Sequence, residues 1–386
     1  MNFSDMLGYA DIGQLSRIAE VYRCECNGNS KNELIQSILS TVSRHDVFDE
    51  QISQMKLEEL RFLNSLLFET RESYSLEDLV ARVQQSRYGN DEEEQKEPSA
   101  GKKTVRSRKA AAMANQAPSP REVIARFKHH GWLFNGFSGP NRYLFQVPHD
   151  LKLRFRETLR RRFVQQLQYT DEPPLYRDEQ GLMIGDVKSA LHFIRHNDIQ
   201  LMADGSMYKR FLLQLIDRMG VSEEMPSKGA WRFGYGRHFN HYPDRFSFLY
   251  DYCFHCKYIS EQEELLSVTD RGLERLEGAP SDEADQMFHY WLKLYRTPIA
   301  NVSALVHWIQ AFSEEWVTVD SLRKVLAPFI KPYFYDDAKS ILEGRILTMM
   351  MHLGLIRIGE HQSFGTVVRM TKAGNKLVAG NSLQLR

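Results

Sequence analysis

The chain has 386 residues, 42% apolar and 26% charged, which suits roughly two to four ordinary globular domains. Fifty Lys and Arg cancel fifty Asp and Glu, which excludes a protein that coats nucleic acid by bulk charge and leaves only local basic faces for such contacts. No run approaches 18 apolar residues, the opening residues lack an apolar signal core, and four cysteines point to a reducing compartment. The expectation is therefore a cytoplasmic protein with no membrane partner.

In chain order, Ile12, Leu15, Ile18 and Ala19 fall at helical spacing, and a polar loop from Cys24 to Asn29 breaks the pattern. Ser30 with Glu33 reads as a capping box opening a second helix, faced by Leu34, Ile35, Ile38 and Leu39. Leu57, Leu60, Leu63, Leu66 and Leu67 predict another helix, and Ser75 with Asp78 caps one carrying Leu79 and Val83. Residues 86–119 then run from an acidic block (Asp91, Glu92, Glu93, Glu94, Glu97) to a basic one (Lys102, Lys103, Arg106, Arg108, Lys109) and an Ala/Gln/Pro/Ser stretch. With almost no large apolar residue to offset its ordering entropy, this segment is expected to be a disordered charged linker. Its basic half is a lesser candidate for nucleic-acid contact.

Beyond the linker, residues 121–130 form an amphipathic helix closed by Gly131. Trp132 to Phe134, a Gly/Pro-rich turn and Arg142 to Val147 follow, which is how a helix and a wing hairpin read. Near the C-terminus, Ser340 to Leu353 predicts a helix closed by Gly354. A strand from Leu355, a turn from Gly359 to Gly365, a strand over Thr366–Met370 and a last helix opened by Thr371 come after it. A weaker copy lies between, from Phe246 through Ile259 to Gly272. Thr269 with Gly272 and Thr371 with Gly374 form an internal echo, read as helix N-caps. The fold expected is mainly α (α+β): tandem winged-helix-like modules with short β-hairpin wings. The divisions are a helical module over 1–85, the linker, a winged-helix-like module with a basic helix over 120–180, a central one over 181–297 and a C-terminal one over 298–386.

Two resemblances add to this reading. Ser30, Lys31, Asn32, Glu33, Leu34 and Ile35, with the core positions Leu15, Ile18 and Ile38, resemble the start of the second helix in SAP and Rho N-terminal helical modules. Asp186 to Leu191, Ile199 to Gly205, and Lys209 with Arg210 resemble a bacterial helicase-associated domain related to the N-terminal region of XPB-type helicases, with Tyr208 where that family has Pro. Gly131 to Phe134 and Tyr143 to Pro148 are similar to that family's wing. The resemblance implies DNA-associated work by an accessory domain. A motor would need a phosphate-binding Gly-x-x-x-x-Gly-Lys-[Ser/Thr] loop, and the sequence contains none.

Candidate site residues follow from charge and aromatic patterning. Lys152, Arg154, Arg156, Arg160, Arg161 and Arg162 are opposed only by Glu157, as phosphate binding would want, though a solvated helix face reads the same way. Lys209 and Arg210 open a helix that would present its N-terminus to DNA, or are simply a surface helix start. Trp231 to Arg245 interleaves aromatics with Arg232 and Arg237, which suits base stacking or equally core filling or a partner contact. Cys24, Cys26, Cys253 and Cys256 could add up to a zinc site, but buried cysteines are the expected state. His129, His130, His192 and His196 lack carboxylates at ligand spacing. No catalytic constellation is legible, so the expectation is a non-enzyme without cofactor or metal. It would be a DNA-binding accessory to helicase, replication or transcription machinery with DNA and a helicase or other protein as partners, or else a protein-interaction scaffold that uses no DNA.

Overall fold

A computed structural model describes residues 1–25, 30–69, 71–89, 118–137, 139–227 and 236–383. The chain is mainly helical, with small antiparallel sheets. It divides into two compact units, residues 1–162 and 163–386. The division does not fall at the charged segment: the pieces on either side of residues 90–117 belong to one unit, and those residues lie outside the described ones.

The first unit contains α1 (Phe3–Tyr9), α2 (Ile12–Val21), α3 (Lys31–Ser43), α4 (His45–Ser53), α5 (Leu57–Leu67), α6 (Leu76–Gln85), α7 (Pro120–His129), β1 (Phe134–Asn135), β2 (Phe145–Gln146) and the start of α8 (His149–Val164). Of the caps read from sequence, Ser30 accepts from the Glu33 N–H at 3.4 Å, one half of a capping box, and Ser75 and Asp78 cap each other. Its core is a chain of rings, Phe62 to Phe127 to Trp132 to Phe155 to Phe48, with successive centroids 4.9, 5.2, 5.2 and 4.8 Å apart. Trp132 donates its indole N–H to the Tyr22 hydroxyl at 3.1 Å, tying α2 to the start of the hairpin. Such a core binds residues far apart in sequence through burial and edge-to-face contact.

The second unit holds β3 (Leu175–Arg177), α9 (Leu182–Arg195), β4 (Ile199–Gln200), α10 (Lys209–Ile216), α11 (Asp244–His255), β5 (Ile259–Gln262), β6 (Leu265–Val268), α12 (Asp270–Glu277) and α13 (Glu283–Tyr295). It continues with α14 (Val302–Phe312), β7 (Val317–Thr318), α15 (Val319–Leu326), a composite helix α16, β8 (Ile356–His361), β9 (Gly365–Met370) and α17 (Lys372–Leu383). Helix α16 joins Ala338–Ser340, a π-helical stretch Ile341–Leu347, and Thr348–His352.

One order of elements recurs: helix, short strand, helix, helix, hairpin. In the middle of the chain it is α9, β4, α10, α11, β5 and β6, with β6 between β4 and β5. At the C-terminus it is α14, β7, α15, α16, β8 and β9, with β9 between β7 and β8 and β3 added outside β8. In each copy the first helix packs against the helix that follows the hairpin. The first unit has the same order in α5, a single bridging residue Tyr74, α6, α7, β1 and β2. Tyr74 and Phe145 exchange backbone bonds at 2.9 and 2.7 Å, so β2 again lies between the other two.

The third helix ends alike in all three copies. At Gly131, Lys257 and Gly354 the backbone turns left-handed, and the next N–H reaches five residues back, Trp132 to Phe127, Tyr258 to Cys253 and Leu355 to Met350. This closure consumes the Trp132 N–H, so the strand expected from Trp132 begins at Phe134. Lys257 holds a φ of 58° that glycine would adopt without crowding its Cβ. Lys257→Gly is expected to stabilise the fold by about 1 kcal/mol. Thermal melting checks this, and an unchanged or lower midpoint would refute it.

The echo between Thr269 and Thr371 is a clasp with one geometry in both places. Each Thr N–H donates to the residue after the left-handed turn, Tyr258 or Leu355. Each hydroxyl donates to the turn residue itself, Lys257 at 2.6 Å or Gly354 at 2.8 Å, and accepts from the Gly272 or Gly374 N–H at 3.1 or 2.9 Å. The Gly is required because a Cβ would overlap the Tyr258 or Leu355 carbonyl oxygen. At the C-terminus the turn occupies only Gln362 to Phe364, and Gly359, expected to open it, sits within β8. A Cβ there would stand 2.8 Å from the Leu175 oxygen of β3, a strand the sequence had not suggested.

Candidate nucleic-acid interface

Helix α8 divides its six cations by task. Arg154 donates to the carbonyls of Val42 and Arg44, the latter at 2.8 Å, and lies 4.5 Å from the Phe48 ring centre. Arg156 donates to Leu67 O from Nε at 3.0 Å and stacks on Phe68 at 4.5 Å; burial pushes its guanidinium down to about 10. These side chains close the C-terminal ends of α3 and α5, where orphan carbonyls and the helix dipole favour a cation. Lys152 is half-buried, and that burial, with Arg156 nearby, lowers its amine. Arg161 lies 3.2 Å from Asp49. Arg160, Arg161 and Arg162 are exposed and form the part of this helix that faces solvent as a run.

Lys209 and Arg210 are exposed at the first turn of α10, which has no side-chain cap. Helix α9 and its C-cap add a stripe of Lys188, His192, Arg195 and His196, all exposed; the sequence reading weighed only the two histidines, as metal ligands, and passed over Lys188 and Arg195. The signal was present as i, i+4, i+7, i+8 spacing.

Residues 228–235, with Trp231 and Arg232, lie outside the described residues. Arg237 is engaged within its own module. Its fork reaches Glu261 at 2.5 and 3.3 Å, and its guanidinium sits 3.8 Å over Phe254. Burial alone would raise the Glu261 carboxyl, but hydrogen bonds from His238, Arg237 and Tyr250, with the Arg237 charge, outweigh it and hold the group at about 2. The neighbouring hairpin tip is Glu263 and Glu264, both exposed and both left-handed, so the tip carries negative charge. Helix α11 is buried from Arg245 to Cys253 and cannot lie in a groove.

Beneath these elements is a second polar cluster. Arg245, 1% exposed, places Nη2 2.5 Å from Asp186 and Nε 3.5 Å from Glu179. Glu179 also meets His352 Nδ1 at 2.8 Å and Arg177 at 2.5 Å. Burial pushes this carboxyl up, but the His352 bond and the surrounding charges hold it below the usual range. Glu223 accepts the N–H groups of Arg245 and Phe246 at 2.8 and 2.9 Å and is raised by burial in spite of them. Glu179, Asp186, Arg245 and His352 are buried, and the cluster joins segments far apart in the chain.

Cys253 and Cys256 are buried, and burial pushes both thiols up; Cys26 lies outside the described residues. Among the described residues no group of three or more His, Cys, Asp or Glu side chains is placed to hold a metal ion, and no helix is long and apolar enough to cross a membrane. The sequence reading also missed Phe334 and Tyr335, two large exposed side chains in the segment before α16. Comparison with known proteins returns no match, whether among family models, curated proteins or solved structures.

Proposed function

We propose that the chain is a non-catalytic, nucleic-acid-associated protein built from three winged-helix modules, with the charged segment inserted between the second and third helices of the first. Its role is that of an accessory to a DNA-processing machine, in line with the resemblance to helicase-associated domains. The supporting observation is the sorting of cations on α8. Arg154 and Arg156 are spent on helix ends, while Arg160 and Arg162 are exposed and Arg161, also exposed, pairs with Asp49 at 3.2 Å. Clustered exposed guanidinium groups bind phosphate and release counterions. Lys209 and Arg210 supply a second contact of the same kind at a helix N-terminus.

Duplex retention in a mobility-shift titration at several salt concentrations tests the reading. The Arg160→Ala, Arg161→Ala, Arg162→Ala variant should bind several-fold more weakly at ~50 mM salt, and its log–log salt slope should flatten by up to about 3. No retention by the unaltered protein at low salt would end the proposal.

The second reading, a protein-interaction scaffold, is favoured by the acidic tip at Glu263 and Glu264 and by the burial of α11. Both remove the parts of the central module that most often touch DNA. Under that reading the triple variant leaves every nucleic-acid measurement unchanged.

A further inference from the structure

Between α15 and α16 the chain doubles back in a two-residue turn. Tyr333 and Asp336 exchange both backbone bonds, at 2.9 and 3.0 Å, leaving Phe334 and Tyr335 as its tip. Phe334 has a φ of 50°, at a position where such turns select Gly or Asn because a Cβ crowds the backbone. The two side chains are 74% and 82% exposed. A strained bulky residue and two largely exposed rings both oppose folding, and both suit a contact surface. The base of the turn is held firmly. Asp336 is buried, with its carboxylate 3.2 Å from Arg345 Nε, and Arg345 also reaches Asp244 at 3.4 Å. Tyr333 meets Phe334 edge-on at 4.7 Å. Lys331 before the turn and Lys339 after it are exposed.

We propose that this tip stacks on unpaired nucleobases, with Lys331 and Lys339 meeting the flanking phosphates. The inference rests on the nucleic-acid reading above and adds to it a single-stranded ligand and the place that holds it. Aromatic faces accept any base, so the contact is tolerant of sequence. Lysines on both sides favour a phosphate-bearing ligand over a protein, because Lys is depleted from protein interfaces. The turn also leads into the third helix of its module, the part that helix-turn-helix proteins bring to nucleic acid.

The test uses the full chain and a single-stranded oligonucleotide carrying 2-aminopurine, whose emission falls when the base stacks. Phe334→Gly removes one ring and relieves the left-handed strain, so this variant should melt no lower than the parent, and lost binding is then not lost folding. Tyr335→Ser removes the other ring. Each should bind the single strand roughly tenfold more weakly and lose the quenching, while retention of duplex DNA stays unchanged. Duplex retention with no quenching by the parent would overturn this inference and leave the function standing. Retention of neither duplex nor single strand would overturn both. Unchanged single-strand affinity in both variants would assign the tip to a protein contact instead.

Discussion

Gly374→Ala should destabilise the C-terminal module by about 3–4 kcal/mol, even though alanine is the better helix former. Gly374 lies in the first turn of α17. Helix propensity alone would favour the substitution by about 1 kcal/mol. The Cβ, however, would fall well inside van der Waals contact distance of the Leu355 oxygen, and nearby Leu355 Cα and carbonyl carbon are also backbone atoms that no rotamer change can move. The clash therefore wins. The same helix provides the control: Gly380 has nothing within 4 Å of an added Cβ, so Gly380→Ala should stabilise by up to about 1 kcal/mol. Urea unfolding of the two variants reads the comparison directly. Equal midpoint shifts of the same sign would show that the close approach is not what fixes Gly374.

Arg245→Ala should cost about 3–5 kcal/mol, the usual consequence of leaving a buried charge without its partner. Removing the guanidinium strands Asp186 and takes one of the cations from Glu179, both side chains being nearly sealed from solvent. The intact cluster need not add net stability over an apolar one, because burying four or five charges carries a large desolvation penalty. For that reason Arg245→Met combined with Asp186→Asn should recover part of the loss, the two sites being coupled. Denaturant midpoints for the two single variants and the pair form the cycle. Strictly additive effects would mean that Arg245 and Asp186 do not interact in the folded state.

The local signals in the sequence translated well. Ser30, Ser75, Thr269 and Thr371 are all caps, since a hydroxyl three residues ahead of a free N–H needs no tertiary context to act. Gly131 and Gly354 marked left-handed helix ends for the same reason. Lys257 hid the third such end, because its role there is carried by backbone geometry that a lysine only tolerates. The short strands β3 and β7 were not legible. Two or three residues carry no alternation, and their existence depends on partners far along the chain, Gly359 and Val368 among them.

The candidate site was legible as a list of charges and not as a division of labour. Six cations on one helix looked alike until the carbonyls of Val42, Arg44 and Leu67 took two of them. Arg237 looked like part of a base-stacking platform because Glu261, 24 residues on, cannot be placed beside it from pattern alone. The exposed pair Phe334 and Tyr335 drew no notice in the sequence, since aromatic content does not reveal that a turn pushes them outward.

The threonine clasp has a consequence for how such modules can diverge. It closes across 12 residues in the central copy and 17 in the C-terminal one, with the same three bonds. The hairpin therefore hangs from a fixed base whose geometry is indifferent to what is strung between its ends. The two copies differ by five residues in that span while keeping the same clasp, so length can vary at the hairpin tip. That separation makes the hairpin the part of each module most open to acquiring a new binding preference while the scaffold stays the same.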